Sequence, residues 1–182
     1  MTKGMIRVEE AGLLILVVVA GVAASNDGPK RVGLPPTSSV VRPVRGAQER
    51  TVFLVVRQGE RTYLSEQRVT IPAGVDPQIA AIEFQARPGG ALPRGTRVRS
   101  LTLDKEGLLH VDLNAAFIKN FAGGSTGEAL TLAALSATVA RFPGVKSFLV
   151  TVEGKPLTSL GGHVEWDQPQ PASATLPEDF RP

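Results

Sequence analysis

The sequence predicts an α+β domain: one mixed or antiparallel sheet of about four to five strands, covered on one face by two principal helices. Three observations carry this. Short β-branched and aromatic runs alternate with turn residues across the middle of the chain, two longer stretches have helical signals at both ends, and Pro-rich segments bracket the whole.

Thr51 to Val56 is an unbroken apolar run suited to a covered strand, and Gln58-Gly59-Glu60 turns it. Tyr63 to Ile71 is a second, more polar strand, expected at an edge. Asp76-Pro77 opens a helix, since proline in the first turn gives up a donor that would have no partner there. Arg87-Pro88-Gly89-Gly90 stops it. Val98, Leu101 and Leu103, then Leu109, Val111 and Leu113, mark two strands joined across Asp104-Lys105-Glu106-Gly107, a hairpin signal. Asn114 is placed to cap a short helix through Phe121. Ser125 and Glu128 fit a reciprocal capping box for a longer helix with Leu132, Leu135, Val139 and Phe142 on one stripe. Pro143-Gly144 ends that helix. Val145 to Val152 is the last strand, with Phe148, Val150 and Val152 on one face, and Glu153-Gly154 turns out of it.

Outside this region the chain has a different character. Ala11 to Ala24 carries no polar side chain. It is shorter than the ~20 apolar residues that span a bilayer and within the roughly 7–15 of a signal-peptide core. Residues 1–25 are therefore read as a signal peptide or membrane anchor, which directs the rest of the chain to export. Residues 26–50 contain Pro29, Pro35, Pro36 and Pro43 among Ser, Thr, Gly and Arg, the composition of an extended linker. The domain is assigned to 51–167. Residues 168–182, rich in proline and poor in large apolar groups, are expected to be a disordered tail.

The net charge of +3 and pI near 9.6 do not mark a nucleic-acid protein. Residues 51–167 are close to neutral, and the basic excess sits in the linker at Lys30, Arg31, Arg42, Arg45 and Arg50. A nucleic-acid domain carries its basic face on the domain itself, whereas a basic spacer beside a membrane suits acidic lipid or wall polymer. The absence of cysteine excludes disulfides, thiolate metal sites and a cysteine nucleophile.

No catalytic pattern emerges: there is no Gly-x-Ser-x-Gly elbow, phosphate loop or dinucleotide fingerprint, so no cofactor is expected. His163, Glu165 and Asp167 are metal-ligand types at weak spacing, and His110 reads as a surface histidine. Asp112 and Trp166 are the two interaction candidates. Asp112 suits a general base, a partner contact or a bond to the backbone at the start of the Asn114 helix. Trp166 is the one indole available to stack on a sugar.

Several stretches in order resemble one family. Arg87-Pro-Gly-Gly-Ala-Leu-Pro-Arg-Gly-Thr-Arg-Val98 is similar to the "GP…lP.GT.v" segment of the GerMN domain family of sporulation and spore germination. Val111-Asp-Leu-Asn-Ala-Ala-Phe117 is similar to its "VDLS..F" segment, with Asn114 in place of serine. Gly124-Ser-Thr-Gly-Glu128 through Phe142-Pro-Gly-Val-Lys146 and Val152-Glu-Gly-Lys155 resembles its closing block. One copy is present, where some members carry two. The resemblance implies a membrane-attached or secreted envelope protein without enzymatic activity, whose partners are an envelope protein or a second copy of itself. A module binding a cell-wall polymer such as peptidoglycan is the alternative, and a wall hydrolase is the third reading.

Overall fold

The computed structural model describes residues 46–182, so the apolar segment 1–25 and positions 26–45 of the linker lie outside the described residues. Among the described residues no helix is long and apolar enough to cross a membrane.

The first two strands, β1 (Gln48–Gln58) and β2 (Arg61–Ile71), form a long antiparallel hairpin in unbroken register from Gln48↔Ile71 to Gln58↔Arg61. Gly59 takes φ +61°, the positive value a two-residue loop demands there and that glycine reaches without strain. The strand begins three residues earlier than the linker boundary allowed, because Gln48, Glu49 and Arg50 complete the ladder opposite Val69–Ile71. The hairpin is a two-stranded sheet of its own.

Helix α1 (Pro77–Phe84) starts as its sequence dictates: the Asp76 carboxylate accepts from the N–H groups of Gln78 and Ile79 at 2.8 and 3.1 Å. The second sheet is five-stranded and mixed. β3 (Val98–Leu103) pairs antiparallel with β4 (Leu108–Leu113), and β4 pairs parallel with β5 (Ser147–Val152). A parallel neighbour needs a long crossover, supplied by a one-turn helix α2 (Ala116–Lys119) and the longer α3 (Ser125–Val139). β6 (Lys155–Pro156) folds back on β5 through Glu153 and Gly154, whose φ values of 53° and 75° make the tight turn. The α+β class is as the sequence implies, and the strands divide into two sheets instead of one.

Helix α3 is buried on nearly every side from Leu130 to Val139, against β1, β2 and α1, where a single apolar stripe was expected. It joins the hairpin to the inner face of the mixed sheet, formed by Leu109, Val111, Leu113, Phe148, Val150 and Val152, in one continuous core. Small residues make this possible: Ala133, Ala134 and Ala137 let the elements on either side approach closely.

The segment 168–182, expected to be a disordered tail, has a defined course. Gln170–Pro171 forms β7 antiparallel to β5, and Glu178–Phe180 makes a 3-10 turn. Ala172, Leu176 and Phe180 pack against the core. Scarce but well-spaced apolar anchors suffice because the backbone bonds to β5 and to Ser136 hold the chain in place.

Gly90 is the tightest approach in the fold. A Cβ there would stand 1.9 Å from the Gln85 carbonyl oxygen, which already accepts from the Leu92 N–H at 3.0 Å. Gly90→Ala is expected to cost about 3 kcal/mol or more in urea unfolding, since backbone and not a flexible side chain must move. The measurement is the denaturation midpoint at unchanged m-value.

Candidate functional site

Two clusters of polar side chains converge in the domain. Both are built on the segments that carry the family resemblance.

The first lies at the carboxyl ends of β4 and β5. Asp112 accepts from the Thr151 hydroxyl at 2.8 Å, the Gly154 N–H at 2.8 Å and the Arg99 guanidinium at 2.7 Å. Burial pushes its carboxyl up, but the Gly154 N–H, the Thr151 hydroxyl and Arg99 together hold it below the usual carboxylate range. The aspartate thus ties three strands, β3, β4 and β5, to the turn after β5. It makes no bond to the start of α2, where the sequence reading placed its structural partner. Asn114 is likewise employed differently from a helix cap. Its Oδ1 accepts from the Arg97 N–H at 3.0 Å and its Nδ2 donates to the Gly95 carbonyl at 3.1 Å, pinning the loop before β3. The N-cap position of α2 is Ala115, whose methyl group cannot accept a hydrogen bond.

The second cluster centres on Glu128. This carboxylate is wholly buried in the first turn of α3. Its Oε1 accepts from the Leu160 N–H at 2.8 Å, the Ser159 hydroxyl at 3.0 Å and the Trp166 indole Nε1 at 3.0 Å. Its Oε2 accepts from the His163 N–H at 2.9 Å. The side chain therefore points away from its own helix end, and the expected capping box does not form: Gly124 is the N-cap and no side chain caps the helix. Burial alone would raise the carboxyl. The N–H groups of Gly161, His163 and Leu160 and the Trp166 indole outweigh it and hold the pKa down to about 2.

Trp166 closes this cluster. It is fully buried, stands edge-on to Phe117 at 5.8 Å between ring centroids, and donates its one N–H to Glu128. Neither face is open to a sugar, so the stacking platform considered for it is absent. His163 contributes its backbone N–H to the cluster. Among the described residues no group of three or more His, Asp or Glu side chains comes together to hold a metal, and His163, Glu165 and Asp167 do not converge. His110 is exposed on the outer face of the sheet, 3.9 Å from Asp104.

Sequence reasoning missed Glu128 as a buried group. One signal could have found it: Glu128 is the sole ionisable side chain between Lys119 and Arg141. A lone carboxylate in an otherwise uncharged, largely buried helix has to be paid for by donors from elsewhere in the chain.

The arrangement is one in which motif residues bind the protein's own loops. The hydroxyls of Thr151 and Ser159 donate to Asp112 and Glu128, and the same two carboxylates also accept from main-chain N–H groups. The class defined is a small α+β domain held together at two polar nodes. The chain belongs to the Germane family, sporulation and spore germination, whose model matches residues 51–158. No curated protein sequence matches it. Among solved structures it is similar to the tandem GerMN domains of the sporulation protein GerM from Bacillus subtilis, with a TM-score of 0.60 and 19% identity. That alignment covers 77% of this chain and 51% of the other, so this chain spans about half the length of the tandem-domain protein. It also resembles the first GerMN domain of the same protein, with a TM-score of 0.52, 19% identity, and 72% and 98% of the two chains covered.

The Glu128 node has a pH signature. Its folded pKa lies below the ordinary value of 4.5, so the stabilisation is complete above about pH 4.5 and is lost as pH falls toward about 2. Glu128→Gln places an amide NH2 among donors. It is expected to lower stability by about 3 kcal/mol at neutral pH and to flatten the acid limb of a stability–pH curve. Urea midpoints measured between pH 2 and pH 7 check both effects.

Proposed function

We propose that this chain is a non-enzymatic interaction domain of the cell envelope. The N-terminal apolar segment and basic linker tether it on the outer side of a membrane, and it assembles with a second copy of itself or with another envelope protein. The observation that carries this reading is the disposition of the mixed sheet. Its inner face is buried at β4 and β5, while its outer face is uncovered among the described residues. Rows of Ser100–Asp112–Thr151 and Thr102–His110–Leu149 cross that outer face, and beside it β3 is an edge strand with no strand partner on its far side among the described residues, its Val98 N–H bonded to Glu83 of α1. An edge strand with an open sheet face is the surface that strand addition and sheet packing use. The polar groups that could have served chemistry, Asp112 and Glu128, are occupied by internal bonds.

The family supports this by association: the similar solved structures come from a sporulation protein. A spore role for this chain follows only if its own partners belong to that process.

Light scattering after size exclusion, run on residues 46–182 over a concentration series, is expected to show mass rising with concentration. Thr102→Lys puts a charge on the outer face at its edge strand. It should shift the association at least tenfold to higher concentration while changing unfolding stability by less than about 0.5 kcal/mol. A mass that stays monomeric throughout, together with no partner captured by crosslinking in native envelopes, would overturn the reading.

A further inference from the structure

The segment 168–182 lies in a seat that recognises main chain. On one side, β5 pairs with it at Ser147↔Pro171 and Phe148↔Gln170, and the Ala172 N–H donates to the Lys146 carbonyl at 3.0 Å. On the other side, Ser136 projects from α3. Its hydroxyl donates to the Pro171 carbonyl at 2.8 Å and accepts from the Ser173 N–H at 3.0 Å. This serine is nearly buried in a stretch of alanine, leucine and valine, and both of its bonds go to the backbone of this one segment. A sheet edge plus a two-way hydroxyl is a peptide-binding arrangement: it reads an extended backbone, while pockets beside it read side chains.

Two shallow recesses flank the segment. Leu176 lies beside a recess floored by Phe53 and Leu64, with Arg141 at its wall. Phe180 lies beside a second recess between the β1–β2 turn and the first turn of α3. The segment also falls outside the residues matched by the family model, which end at 158.

We propose that this seat is a docking site for the 168–182 segment of a second copy of this chain, so that copies link by exchanging the segment. The proposal rests on the self-association reading above and gives it a contact surface. Every bond that holds the segment within one chain can form unchanged between two, because the donors, acceptors and apolar anchors are the same atoms. The balance between the two forms is then set by effective concentration and by the course of residues 167–169, the connection between the anchored Trp166 and the paired Gln170 that must change path. Tethering on a membrane, or gathering in an assembly, raises the concentration of neighbouring segments and shifts the balance toward exchange. Reciprocal exchange closes a twofold dimer, and one-way exchange propagates a ring or filament.

The chain contains no cysteine, so introduced thiols report without background. Ser147 and Pro171 are register partners across an antiparallel pair, a separation a disulfide spans. Full-length Ser147→Cys and full-length Pro171→Cys chains, mixed and oxidised with copper–phenanthroline, should form a mixed disulfide dimer. Its rate should rise with concentration and exceed at least tenfold that of Lys119→Cys mixed with Pro171→Cys, where the exposed Lys119 lies on neither the outer sheet face nor the seat and so reports random collision. A rate no faster than that control overturns the proposal, whether or not a single chain carrying both Ser147→Cys and Pro171→Cys closes its own disulfide. If crosslinking fails while the mass still rises with concentration, self-association persists through another surface. If the mass also stays constant, the self-association reading falls with it.

Discussion

The structure depends on one buried carboxylate. Glu128 leaves water entirely, a cost of several kcal/mol for an ion without partners. The cost is offset because four donors from residues 159–166 converge on its two oxygens. Those donors belong to a stretch with no helix or strand of its own to satisfy its backbone. Carboxylate and loop therefore need each other: without the loop the charge is unpaired, and without the charge the N–H groups of Leu160 and His163 lose their acceptor. The position in the first turn of α3 adds to this, since negative charge is favoured near a helix N-terminus.

Much of the architecture depends on that tie. Fixing the 159–166 loop seats Trp166 against Phe117 and closes the core at the α2 end. Room for the loop is scarce: a Cβ on Gly161 would meet the Phe121 ring at 2.9 Å and Glu128 Oε2 at 3.1 Å. From Trp166 the chain is delivered to the edge of β5, where Ser136 and the Lys146 carbonyl receive it. The second node, at Asp112, performs the matching task at the other margin of the sheet, bonding β3, β5 and the β5–β6 turn. Between them, the two carboxylates anchor the loops while the outer face of the mixed sheet stays uncovered among the described residues.

Local signals read correctly wherever local chemistry decided the outcome. Asp76-Pro77 started α1, Gly59 turned the β1–β2 hairpin, and Asp104 with Gly107 turned β3 into β4. Three features were decided at a distance and did not read. The parallel pairing of β4 with β5 and the split into two sheets come from how α3 packs, which no residue of either strand encodes. Glu128 satisfied a local capping pattern while its real donors lay more than thirty residues away. The 168–182 segment had the composition of a disordered tail, yet it is ordered by a serine in α3 and a carbonyl in the β4–β5 crossover. Of the two candidate interaction residues, Asp112 and Trp166, both were singled out by their place in the chain. Both prove to act inward, one as a strand tie and one as a buried donor.

The central claim is that the Glu128 tie makes residues 159–166 part of the folded core and not a surface loop. Native-state hydrogen exchange of the Leu160 and His163 amides tests it most directly. The account predicts that both exchange only through global unfolding, with the same opening free energy as the amides of β4 and β5. Exchange at rates near those of an unstructured peptide, while β4 and β5 remain protected, would contradict it.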